Sequence, residues 1–272
     1  MIEWIDVEEA ARQYKEVVKQ IILEANLNYS LWVFSCGNNP ASEAYVRGKK
    51  KDCEEVGISF NEVKFTLNDE DSIVPIIKTL ANDSHNKIII QSPVGNKYLE
   101  RNLMNLIPYL ADADFLSVES IGRTHLTGEN YPATAYGLKL LLKHLNYEDL
   151  SGKRAVVVGR SALAGAPCAK VLQDMGATVT VIHSKSKDYS DILKSANFVV
   201  LAAGVQGMFN ENDFSDGTII FDVGINRGED GKLHGDFVLL DKNTDKNLKV
   251  TPVPKGMGLM TRVGLLYNIV RI

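Results

Sequence analysis

In the stretch EAYVRGKKK, Tyr45 stands four residues before Lys49. On a helix that spacing sets the phenol ring and the ammonium group one turn apart on one face, close enough for the ring to shelter or orient the charge. Such a pair suits either a solvated helix face or one half of an active site. Lys50 and Lys51 fall off that face and read as solvated. A second stretch, AVVVGRSALAGAP at residues 155–167, carries different chemistry. An apolar strand there runs into a glycine-rich turn and then a helix, CAKVLQDMG. Gly159 and Gly165 let the backbone approach a pyrophosphate closely, and the helix start offers unpaired N–H groups to its charge. The spacing is G-x5-G, with Ser161 where a dinucleotide-binding turn usually has its second glycine.

An NAD site places an acidic residue at the end of the next strand to hold the ribose 2′-hydroxyl. Here the strand TVTVIHSKS ends in His183, Ser184 and Lys185. With Arg160 in the turn, this polar and basic set suits the extra 2′-phosphate of NADP; the competing reading leaves Arg160, His183 and Lys185 as solvated loop residues. No metal is expected. His85, His125, His144, His183 and His234 are scattered without ligand spacing, and Cys36, Cys53 and Cys168 give neither a zinc pattern nor a disulfide framework. The cysteines read as small buried thiols.

These side chains need a scaffold, and the pattern around them supplies one. Asp6 with Glu9 makes a capping-box-like start, after which apolar residues recur at helical spacing through Leu23. The apolar run LWVFSC ends at Gly37; Asn39 as a cap, Pro40 at the first helical position and Gly57 as a stop then bound a helix that carries Tyr45 and Lys49. ISFNEVKF and KIIIQ are strand-like, EDSIVPIIKTLAND and KYLERNLMNLI helix-like. This alternation predicts a parallel sheet covered by helices, an α/β fold. After Pro132 a helical run ATAYGLKLLLKHL leads toward Gly152. A second alternation starts at RAVVVGRS and continues through TVTVIHS, FVVLAAG, GTIIFDVG and KVTPVP. A domain change is therefore placed near residues 130–145. The final GLMTRVGLLYNIVRI reads as a helix, and its periodicity does not say which domain it joins.

The bulk properties exclude some partners. With 272 residues, 45% hydrophobic, the chain is large enough for two small domains or one large one. A formal net charge of -4 argues against the broad electropositive surface used in nonspecific nucleic-acid binding. The N-terminus mixes charges into its apolar residues, unlike a signal peptide, and no apolar run is long enough to cross a bilayer. A cytosolic location is expected, with no nucleic acid or membrane partner.

Four segments, NNPASEAYVRGKKKDCEEVGI, GKRAVVVGRSALAGAP, FDVGIN and TPVPKGMGLMT, in this order and spacing, resemble the bifunctional methylenetetrahydrofolate dehydrogenase/cyclohydrolase family over nearly the whole chain. The resemblance implies an N-terminal α/β substrate domain (residues 1–135, joined by the returning helix 257–272) and a Rossmann-type NADP-binding domain (136–256). It implies that Lys49 moves protons in the cyclohydrolase step, that Tyr45 packs against the folate rings, and that Gln91 contacts and tunes Lys49. A lysine near its ordinary pKa of ~10.4 is a poor base at neutral pH, so burial or neighbouring donors must poise it. Asp114 matches the aspartate that holds the pterin, where a carboxylate accepts two N–H bonds from the amidine-like edge. Gly159, Arg160, Ser161, Gly165, Ser184 and Ile225 would line the NADP site, Arg160 and Ser184 at the 2′-phosphate. Thr251, Pro252 and Gly256 would lie beside the folate pocket. Asp222 and Asn226 end a strand near it and shape a turn or touch ligand. The implied assembly is a homodimer and the implied ligands are tetrahydrofolate derivatives.

The chain departs from the family pattern mainly on the folate side. Gln-Leu-Pro-Leu-Pro appears as QSPVG, keeping Gln91 and Pro93. Asp-Val-Asp-Gly-Phe appears as DADFL, with Phe115 for glycine, and Pro-Cys-Thr-Pro as PATA. Gly-Gly-Val-Gly-Pro appears as KGMGL, with Lys255 for glycine. Losing a glycine alters a pocket wall. The alternatives are thus a dehydrogenase-only member, a diverged NADP-binding protein without turnover, or a two-domain dehydrogenase of a small hydroxy or amino acid.

Overall fold

The computed structural model describes residues 1–37 and 40–271; the expected cap Asn39 lies outside the described residues. The chain forms two compact units, residues 12–133 with 262–272, and residues 1–11 with 134–261.

The first unit is built on a parallel sheet of β2 (Ser30–Cys36), β3 (Ser59–Phe65) and β4 (Asn86–Gln91), in the order β3-β2-β4. Leu31, Val33, Phe34 and Ile88 to Ile90 are all buried, the continuous apolar pattern of strands covered on both faces. α1 (Val7–Glu24) starts as expected, with the Glu9 N–H donating to Asp6 Oδ1 at 3.1 Å. α2 (Pro40–Val56) follows β2, and α3 (Glu70–Leu80) runs through Pro75 between β3 and β4. α4 (Lys97–Asn105) is capped by Asn96 and α5 (Val118–Thr127) by Ser117, with Gly128 closing α5 in the left-handed conformation at φ +67°. Phe34, Ile77, Ile88 and Leu103 form the centre of this core. The second half of α9 (Met257–Val270) belongs here too, and the buried Asn268 donates to the carbonyls of Ala113 and Tyr131. The final helix thus returns to the first unit.

The second unit opens with α6 (Ala133–His144) and holds a six-stranded parallel sheet in the order β1-β13-β9-β7-β5-β6. Its strands are β1 (Ile2–Trp4), β5 (Arg154–Val158), β6 (Thr178–Ile182), β7 (Phe198–Leu201), β9 (Ile219–Asp222) and β13 (Leu248–Val250). α7 (Gly165–Asp174) connects β5 to β6, and the short α8 (Ser190–Lys194) precedes β7. Two-residue pairs, β8 (Phe209–Asn210) with β12 (Phe237–Val238) and β10 (Asn226–Arg227) with β11 (Leu233–His234), decorate the sheet. A first domain running unbroken from residue 1 would include β1. Its parallel pairing with β13, Ile2 opposite Leu248 and Trp4 opposite Val250, instead makes it the edge strand of this sheet. Cys53 and Cys168 are buried, which pushes their thiols up to about 12; Cys36 is half-buried.

Candidate active site

α2 carries Tyr45 and Lys49 on one face, and the lysine is the deeper of the two, only 6% exposed. Its Nζ donates to Gln91 Oε1 at 3.0 Å and lies 4.0 Å from Asp114 Oδ2. Gln91 is the last residue of β4, and its Nε2 donates to the Ser92 carbonyl at 2.8 Å, which turns the amide oxygen toward the lysine. Asp114 follows an isolated parallel bridge between Asp112 and Ile88 of β4, and the buried Asp112 accepts from the N–H groups of Phe115 and Ser117, both at 2.9 Å. Phe115 reverses the backbone there at φ +56°. Burial raises the Tyr45 phenol pKa, opposed in part by the charge of Arg262. The structure therefore brings Tyr45, Lys49, Gln91 and Asp114 into one constellation. A buried ammonium held by a neutral amide, with two further donors and a carboxylate at longer range, can pass a proton to a bound group.

Arg262, whose charge reaches Tyr45 from beside this constellation, was not foreseen. Its Nε donates to Asp52, which also takes Lys15 Nζ at 3.3 Å. Asp52 lies one turn beyond Gly48 on α2, 210 residues from Arg262 in sequence, and no local pattern signals the pairing.

At the nucleotide-type turn the two glycines are demanded by packing of the chain on itself. Gly159 has φ +107°, and a Cβ there would stand 2.2 Å from the Ala202 carbonyl oxygen. A Cβ on Gly165 would stand 2.3 Å from the Gly159 carbonyl oxygen. These are the tight-turn and close helix-packing roles of a dinucleotide-binding loop. Ser161 Oγ accepts from the Ala164 N–H at 3.3 Å, and Arg160, Ser161 and Ser184 are exposed. The register Val158 opposite Ile182 puts Arg160 and Ser184 each two residues past the paired ends of adjacent strands. His183 is drawn into its own turn, its Nδ1 accepting from the Lys185 N–H at 3.2 Å. Ile225 is 39% exposed beyond β9.

Asp222 and Asn226 shape the loops after β9. Asp222 accepts from the N–H groups of Gly224 (2.9 Å), Asp236 (3.2 Å) and Phe237 (2.9 Å); burial pushes its carboxyl up to about 7. Asn226 Nδ2 donates to Asp236 Oδ1 at 3.0 Å, and Asp236 also accepts from the N–H groups of residues 203 to 205. Pro252 lines a cavity of about 440 Å³ with Trp4, Asp222, His234 and Thr251. Gly256 lies beyond it, where a Cβ would stand 2.0 Å from the Pro252 carbonyl oxygen. Lys255, beside it, holds φ +74°.

Residues 5–114 match the catalytic domain of tetrahydrofolate dehydrogenase/cyclohydrolase, and residues 132–272 match its NAD(P)-binding domain. The chain is 37% identical over 264 residues to bifunctional protein FolD of Bacillus anthracis and of Bacillus cereus, covering 96% of this chain and 91% of each relative. Among solved structures, the bifunctional FolD methylenetetrahydrofolate dehydrogenase/cyclohydrolase from Campylobacter jejuni matches at TM-score 0.91 and 32% identity, over 100% of this chain and 98% of that one. The FolD of Trypanosoma brucei, complexed with NADP cofactor and inhibitor, matches at TM-score 0.87 and 29% identity, over 98% and 95%.

Proposed function

Because the chain belongs to the tetrahydrofolate dehydrogenase/cyclohydrolase family, we propose that it oxidises 5,10-methylenetetrahydrofolate to 5,10-methenyltetrahydrofolate with NADP⁺ and hydrolyses the product to 10-formyltetrahydrofolate. The observation that carries the reading is the buried Lys49 held on Gln91 at 3.0 Å beside Asp114. Both halves of the reaction need the folate ring fixed, and Asp114 and Tyr45 supply an anchor and a packing surface. The bound nicotinamide supplies the hydride acceptor in the oxidation. In the hydrolysis Lys49, as the neutral amine, takes a proton from the water that adds to the methenyl carbon and passes it to the ring nitrogen as that nitrogen's bond to the carbon breaks, while the remaining hydroxyl proton leaves to solvent as the formyl C=O forms. Gln91 keeps the ammonium oriented through this exchange.

The donor set of the second unit fits a dinucleotide. Gly159 and Gly165 form the phosphate turn with Ser161, and Ile225, exposed beyond β9, is assigned to the same ligand. Arg160 and Ser184, exposed at adjacent strand ends, offer a cation and a hydroxyl to a 2′-phosphate. Pro252 and Gly256 are assigned to substrate binding, Gly256 being a position where no side chain fits. We place residues 1–135 with 257–272 as the folate-binding part and 136–256 as the NADP-binding part, apart from β1. The working form is a cytoplasmic homodimer without nucleic-acid or membrane partners. The net charge of -4 speaks against a nucleic-acid partner, and among the described residues no helix is long and apolar enough to cross a membrane.

Mixing the protein with methylenetetrahydrofolate and NADP⁺, then separately with preformed methenyltetrahydrofolate, tests the reading. NADPH should form in the first assay and the methenyl absorbance should decay faster than in buffer in the second. NADPH without accelerated decay means a dehydrogenase only; silence in both, with NADP still bound, means a binding protein.

A further inference from the structure

Arg262 begins the part of α9 that belongs to the first unit, and the folate reading above leaves it without a role. Its Nε is held by Asp52, whose side chain is only 7% exposed and is gripped from the other side by Lys15. Among the described residues, Nε is the one donor of this guanidinium with a hydrogen-bond partner. The group packs over Gly48, so close that a Cβ on Gly48 would stand 3.0 Å from Nη1 and 3.2 Å from Cζ. Tyr45, Gly48, Lys49 and Asp52 follow one another on α2 at spacings that share a face. An arginine bonded at Asp52 and crossing Gly48 therefore extends along this face toward Tyr45, whose phenol feels its charge. With 22% of the side chain exposed, it lies shallower than Lys49 at 7%.

A guanidinium fixed through Nε presents its remaining N–H groups as a planar fork, which matches the two oxygens of a carboxylate. Resting on the functional reading above, the substrate provides one, since tetrahydrofolate ends in a benzoylglutamate carrying two carboxylates. The ring system would occupy the deep Lys49, Gln91 and Asp114 end, with the tail running outward past Tyr45. We infer that Arg262 recognises a carboxylate of the substrate's glutamate tail and is a specificity determinant distinct from the proton-transfer set. Asp52 acts as its positioning residue. Gly48 is the residue type that leaves it room.

Steady-state kinetics on 5,10-methylenetetrahydrofolate and on 5,10-methylenetetrahydropteroate, which lacks the glutamate, test this. In the wild type, loss of the glutamate should raise KM about tenfold while kcat changes by less than about twofold. Arg262→Gln should raise KM for the glutamate-bearing substrate by the same factor and leave KM for the pteroate unchanged. Gly48→Ala keeps the arginine and favours the helix while displacing the guanidinium; it should show the same split, and it carries the test if Arg262→Gln fails to fold. Equal wild-type KM for both substrates, or equal losses on both in the variants, overturns the tail assignment and leaves the functional reading standing. A wild type that turns over neither substrate overturns the functional reading, and the tail assignment with it.

Discussion

Phe115 and Lys255 stand where the family pattern has glycine, and both hold the left-handed backbone that glycine adopts without strain, at φ +56° and +74°. For a residue with a Cβ that conformation costs about 1–2 kcal/mol. The two positions differ in what their side chains return. Phe115 is fully buried, its ring edge-on to Tyr109 at 5.4 Å with the Arg271 guanidinium 5.2 Å from its centroid. Removing a buried phenylalanine costs about 3–5 kcal/mol, so Phe115→Gly is expected to destabilise the protein by a net 2–3 kcal/mol or so in urea unfolding. Lys255 is exposed and its side chain makes an ion pair with Glu8 at 3.1 Å, a contact of roughly 0–1 kcal/mol. Lys255→Gly should therefore be neutral or stabilising by up to about 1 kcal/mol. The two departures look alike in sequence, and burial gives them opposite signs. The sequence pattern also names Tyr45, Lys49, Gln91 and Asp114 while staying silent on Arg262, because motif matching reaches residues that follow a familiar spacing. An arginine that meets Asp52 across 210 positions leaves no such trace.

Among the elements, the turn from β5 to α7 carries the sharpest prediction. A methyl group on Gly159 would be driven into the Ala202 carbonyl, part of the backbone just past β7, and the residue's φ of +107° also disfavours any side chain. Gly159→Ala should lower thermal stability and abolish NADP binding measured by calorimetry, with Lys49 and Gln91 unaffected in the first unit. At the end of β9, Asp222 has its carboxyl raised from 3.8 to about 7 by burial. A group of this kind stabilises the fold fully below its unfolded pKa, and that contribution is lost as pH rises through the folded value. Stability should fall between about pH 4 and pH 7, by up to roughly 4 kcal/mol from this residue, and Asp222→Asn should flatten that slope in pH-dependent melting. Most strands and helices were legible because β4, β5, β7 and β9 are buried on both faces and read as near-continuous apolar runs, while the more exposed edge strands β3 and β6 mix polar with apolar residues. α5 was missed: in VESIGRTHLT only Ser120 and Thr124 are buried, so no apolar stripe marks it, although Ser117 and Gly128 sit at its ends as caps.

At the scale of the whole chain, neither unit is continuous. β1 has three residues, of which Glu3 and Trp4 are exposed; nothing in IEW announces an edge strand, and its partner β13 begins 244 residues later, at Leu248. The final helix is just as opaque to periodicity, being apolar nearly all round, and it is Asn268, bonded to the carbonyls of Ala113 and Tyr131, that ties its end to the first unit. Asn268→Ala would leave both carbonyls without this buried donor. It should cost about 1–3 kcal/mol in stability. The central assignment, that Lys49 moves the proton of the hydrolytic step while the oxidation relies on orientation, is tested most directly by Lys49→Met assayed for both activities on the same preparation. The expected result is loss of methenyltetrahydrofolate hydrolysis to the buffer rate with measurable NADPH formation from methylenetetrahydrofolate. Hydrolysis retained in proportion to the oxidation would contradict it.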